Sequence, residues 1–81
     1  MQVMVRVNGV LVQKVGVARL PLTVADGATV ADVLGMLVAQ HPQVAAEVAR
    51  AVPVVAGVHV ETTAVLLPNQ EVALLLPVAG G

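Results

Sequence analysis

The chain is 81 residues long, carries a formal net charge of −1 and contains neither cysteine nor any aromatic residue. That length fits one domain, and a hydrophobic share of 58%, before glycine is counted, exceeds the ~45–50% usual for soluble domains with glycine included, so disorder is excluded. Without cysteine there are no disulfides, thiolate metal sites or thiol nucleophiles, and without aromatics there is no platform for stacking bases.

The N-terminus alternates, with Val3, Val5 and Val7 on one side and Gln2, Met4 and Arg6 on the other, which predicts a half-buried strand. Asn8-Gly9 ends it, and Val10 to Val17, broken by Gln13-Lys14 and by Gly16, reads as a loop or irregular edge segment. Ala18 to Val24 predicts a second strand whose Pro21 requires an edge or a bulge. Asp26-Gly27 marks a turn. Thr29 with Asp32 three residues on is a variant capping box, and Val30, Val33, Leu34 and Leu37 recur at helical spacing, so a helix is predicted from Val30 to Gln40. Pro42 stops it and opens a shorter helix with Val44, Ala45 and Val48 apolar and Glu47 and Arg50 exposed.

After Pro53, Val54-Val55, a turn at Ala56-Gly57 and Val58 to Val60 predict a tight hairpin. Pro68-Asn69 turns the chain into a last apolar strand from Glu71 to Leu76, in which Leu74 and Leu76 face the core and Leu75 points away. Strands, then helices, then strands describe an α+β domain with helices on one face of a mixed sheet.

Chemistry-bearing side chains are few: two histidines, one lysine, no serine and no tyrosine. His41 and His59 lie far apart and lack the three or four ligands a metal centre uses, so no metal site is expected. Asp26 belongs to its turn and Asp32 to the helix start, while Glu61 and Glu71 read as a solvated edge, which leaves no acid pair for hydrolysis. Arg6, Lys14, Arg19 and Arg50 are spread along the sequence, and no nucleic-acid partner is expected. The longest apolar runs, Val33 to Ala39 and Val72 to Ala79, fall short of the ~20 residues a membrane span needs, and no signal peptide is readable, so the expected location is cytoplasmic.

The informative feature is the ending Leu-Leu-Leu-Pro-Val-Ala-Gly-Gly. A terminal Gly-Gly pair arises by chance in roughly one sequence in 200. It follows an apolar strand and a proline, and glycine lacks the Cβ that would keep a tail out of a narrow channel.

Asn69-Gln70-Glu71-Val72 followed by Pro77-Val78-Ala79-Gly80-Gly81 resembles the ending of the small subunits of molybdopterin synthase, ubiquitin-like sulfur carriers with a β-grasp fold. Val55-Ala56-Gly57-Val58-His59-Val60 resembles the hairpin of that family, and Thr29-Val30-Ala31-Asp32-Val33-Leu34 its helix start. The chain departs from the family at Asn8, Leu74 and Leu75, where phenylalanines are usual, at Val12-Gln13 in place of Arg-Glu, and at Ala56 in place of asparagine.

The resemblance implies a β-grasp domain over residues 1–78, with about five strands and one main and one short helix on one face, and a tail over residues 79–81. An E1-like adenylating enzyme would spend ATP to activate the Gly81 carboxylate, and sulfur transfer would make a thiocarboxylate. Ala79 and Gly80 would form the threading tail, and the molybdopterin synthase large subunit would receive the sulfur. The carrier itself would bind no cofactor and catalyse nothing. His59, Val60, Leu75, Pro77 and Val78 are the expected partner interface. Carriers for thiamine, cysteine or tRNA thiolation share the Gly-Gly end, and a β-grasp interaction module that is never activated is the reading from a different class.

Overall fold

In the computed structural model, which describes residues 1–77, the alternation of the N-terminus becomes strand β1 (Gln2–Arg6). Val3, Val5 and Val7 are buried, and Gln2 and Arg6 are exposed. β2 (Arg19–Thr23) buries Leu20 and Leu22 and pairs antiparallel with β1. Among the described residues it pairs with nothing on its other side, which is where Pro21 is tolerated, having no N–H to give to a ladder.

Between these strands the chain forms α1 (Val10–Val15), where a loop or edge segment was expected. The alternation of Val10, Val12 and Lys14 conceals a helical pair, Leu11 and Val15, of which Leu11 is fully buried. Gly9 and Gly16 do not break the segment but bound it: Gly16 takes φ 90° and its N–H closes onto the Val12 carbonyl at 2.7 Å.

α2 (Val30–Gln40) has the predicted limits. Its box is closed in both directions: the Asp32 N–H donates to Thr29 Oγ1 at 3.2 Å, and the Thr29 N–H donates to Asp32 Oδ2 at 2.9 Å. Val30, Val33 and Leu37 form its buried face. Pro42–Val44 makes a 3₁₀ turn leading into α3 (Ala45–Arg50), so among the described residues the helical layer holds three helices and this turn.

Glu47, expected to be exposed, is 9% accessible. Lys14 reaches over from α1 and donates to Glu47 Oε2 at 2.9 Å and to the Gln43 carbonyl at 3.4 Å, while Gln43 Nε2 donates to the Lys14 carbonyl at 3.2 Å. The Lys14 hydrogen bond holds the Glu47 carboxyl below its ordinary value of 4.5. A depressed carboxyl stabilises the fold above its unfolded-state value and loses that contribution as pH falls through the folded one. Glu47→Gln is therefore expected to be less stable than the parent at pH 7, the gap closing on acidification below about pH 4.5; urea titrations at pH 7 and pH 3 measure it. A gap that stays constant would show that the pair contributes by packing alone.

β3 (Val52–Val55) begins before Pro53, two residues earlier than the sequence suggested, and turns through Ala56-Gly57 into β4 (Val58–His59). Both turn residues have positive φ, 51° and 78°, the two-residue geometry that matches strand twist. Alanine at φ 51° pays a steric cost that asparagine largely avoids. β5 (Glu71–Leu75) enters the middle of the sheet, parallel to β1 and antiparallel to β3, giving the order β2-β1-β5-β3-β4. This is the β-grasp arrangement, with one aliphatic core between the sheet and the helices.

Candidate functional site

Register decides which side chains share the sheet face that the helices leave open. Val72 and Leu74 of β5 point into the core, so Glu71, Ala73 and Leu75 lie on the opposite face, where Ala73 is itself only 5% accessible beneath its neighbours. Across the sheet, Arg19 opposes Arg6, Arg6 pairs with Ala73, Ala73 with Val54, and Val54 with His59. One row thus crosses all five strands, with cations on the β2 side, small apolar groups at the centre and an imidazole at the β4 edge. Leu75 pairs with Val52 in the next row on that face and is 42% exposed.

A shallow cleft of about 270 Å³ opens beside this row, bounded by Arg6, Glu71, Ala73, Val54 and Gly57. Arg19 Nε lies 3.5 Å from Glu71 Oε1, and Arg6 has no carboxylate partner among the described residues. A second hollow between α2 and α3 is lined by Leu34, Val38, Val48 and small residues and presents no titratable group.

The expected interface residues divide accordingly. His59 and Leu75 stand on the open face, and exposed Pro77 continues the chain beyond β5. Val60 is half-buried against the core and does not share the face of Leu75. Val78, Ala79, Gly80 and Gly81 lie outside the described residues. Among the described residues no cluster of three histidines or acids could hold a metal, and no helix is long and apolar enough to cross a membrane. Asp26 lies 3.4 Å from the Met1 amino group, and Asp32 closes the capping box, so both acids have structural partners.

Sequence reasoning missed Arg6, Ala73, Val54 and Val52. The parity of β1 put Arg6 on the outward side, but only the strand order brings it beside Ala73 and opposite Arg19.

The sequence profile of the ThiS family matches residues 4–81. The chain belongs to the ThiS family. Members are small ubiquitin-like sulfur carriers, and the open sheet face and the Gly-Gly end are to be understood within that family. No curated protein matches the chain significantly. Among solved structures, SAMP1 from Haloferax volcanii superposes with TM-score 0.89 at 24% identity, over 100% of both chains. A Pyrococcus furiosus protein provisionally designated molybdopterin converting factor subunit 1 has TM-score 0.85 at 22% identity, covering 95% of this chain and 98% of its own. The HVO 2177 protein of Haloferax volcanii has TM-score 0.83 at 26% identity, covering 100% of this chain and 87% of its own. These likenesses establish the β-grasp, ubiquitin-like fold.

Proposed function

We propose that this chain is the sulfur-donating small subunit of a molybdopterin synthase, with its chemistry at the Gly81 carboxylate. That carboxylate attacks the α-phosphorus of ATP on an E1-like enzyme and pyrophosphate leaves. The resulting acyl adenylate has AMP as leaving group, in place of the poor leaving group of a free acid. A sulfide-level sulfur nucleophile then displaces AMP from the carbonyl carbon, leaving a thiocarboxylate that the large subunit receives and uses. The partners supply the ATP site, the bases and the sulfur; the carrier binds no cofactor of its own and works in the cytoplasm.

The observation that carries this reading is the Pro-Val-Ala-Gly-Gly ending placed directly after the central strand of a ThiS-family fold. A terminus leaving the middle of a sheet is anchored on both sides, beside an open face with which His59, Leu75 and Pro77 can meet a partner. The test is the intact mass of the protein incubated with its activating enzyme, ATP and a sulfur source. The expected product is heavier by the exchange of one oxygen for one sulfur, and deletion of Gly81 abolishes it. No mass change under those conditions would leave a β-grasp interaction module instead. Transfer to the large synthase subunit, rather than to a thiamine, cysteine or tRNA thiolation enzyme, is checked by single-turnover sulfur release in its presence.

A further inference from the structure

Arg6 and Arg19 occupy directly opposed positions of the antiparallel β1–β2 pair, both outward. Like charges so placed repel and destabilise the free sheet. Among the described residues the one carboxylate paired with either arginine is Glu71, whose Oε1 lies 3.5 Å from Arg19 Nε. The two guanidinium groups also stand at a defined end of the molecule. β1 and β5 run parallel, so both finish at the same edge of the sheet; β2 starts there at Arg19, β3 starts there at Val52, and Arg50 closes α3 two residues earlier. Pro77, the last described residue, follows β5 at that same edge. Asp26, by contrast, follows the far end of β2, beyond Thr23, which pairs with Gln2. Basic residues scattered in the sequence are therefore gathered by the fold on the side of the tail.

We propose that Arg6 and Arg19 form the electrostatic half of the docking face and receive a carboxylate-bearing surface of the activating enzyme, while half-buried Val54 and exposed Leu75, on either side of the buried Ala73, make the apolar half. The proposal rests on the carrier reading and assigns its partner a chemistry. A partner carboxylate between the two guanidiniums removes their repulsion and gains two charge-assisted hydrogen bonds, and arginine is the cation best suited to a partly dry contact. Asymmetry adds orientation: cations on the β2 side and an apolar centre admit one way of laying the partner across the sheet, which fixes where the chain beyond Pro77 is delivered.

The experiment is carrier-dependent ATP–pyrophosphate exchange by the activating enzyme, at low and high salt, with the parent chain and the Arg6→Gln/Arg19→Gln double variant. The expected result is a half-saturating carrier concentration raised about tenfold at low salt, with the rate at saturation within about twofold of the parent. Salt should weaken the parent much more than the variant. Thermal melting of the free double variant should rise by about 1–4 °C, as repulsion is removed, which separates a docking defect from misfolding. Equal half-saturation and equal salt sensitivity for both proteins would overturn the proposal, as would a loss confined to the saturated rate. Tighter binding of the parent to RNA than to the enzyme would overturn it too. Absence of exchange with the parent chain would instead sink the carrier reading, and this proposal with it.

Discussion

Replacing Leu74 by alanine is expected to cost about 3–5 kcal/mol of folding stability, the range for deleting a fully buried leucine into a site that cannot collapse. Leu74 is 1% accessible and is among the largest fully buried side chains, with Leu11 and Leu37. With no phenylalanine, tyrosine or tryptophan anywhere, no apolar side chain larger than leucine or methionine is at hand to swing into the gap. A chain of this length has only roughly 4–12 kcal/mol to lose, so the variant should lie near the threshold of folding. Urea unfolding followed by circular dichroism measures this as a lowered midpoint at unchanged slope. A loss below about 1 kcal/mol would mean that the aliphatic core repacks freely and that β5 is not fixed by it.

The adjacent residue gives the opposite pattern. Leu75→Asp should change stability by no more than about 1 kcal/mol, because the side chain already stands outside the core. On the carrier reading proposed above, the same change puts a carboxylate into the apolar half of the docking face. Half-saturation of the activating enzyme should then rise at least about thirtyfold, as expected when an anchor at an interface centre is lost. Exchange kinetics and a melting curve on the same preparation decide it. Unaltered kinetics with an unaltered melt would remove Leu75 from the interface, whereas a collapsed melt would place the residue in the core after all.

The contrast between Leu74 and Leu75 was legible before any coordinates, because strand parity is a two-residue rule that needs no partner strand. The same holds for α2, whose cap, apolar spacing and stop at His41-Pro42 are all local, and for the Ala56-Gly57 hairpin turn. α1 was not legible. Six residues hold less than two turns, and the period of Leu11 and Val15 is hidden among valines that also alternate. Glu47 was misplaced for a related reason: helical spacing put it on the polar face of α3, but its partner Lys14 arrives from α1, an element the reading lacked. Val60 shows the limit of composition as a guide, being as apolar as Leu75 yet turned inward. The cationic row is the largest gain from the fold, since the proximity of Arg6 to Arg19 and Ala73 follows from strand order alone.

The central position of β5 bears on when the terminus can first be used. Its partners are β1, from the very start of the chain, and β3, from beyond the middle, so the strand ahead of Pro77 finds its place only after almost everything else has been made. The outward row that includes Ala73 is likewise a product of that last pairing, for neither Arg6 nor Val54 has its central neighbour before β5 docks. An enzyme that gripped the row together with the chain end, as proposed above, would therefore inspect the finished fold in the act of binding it. On the carrier reading proposed above, a misfolded copy would display the same glycines without the platform and would be passed over without any separate proofreading step.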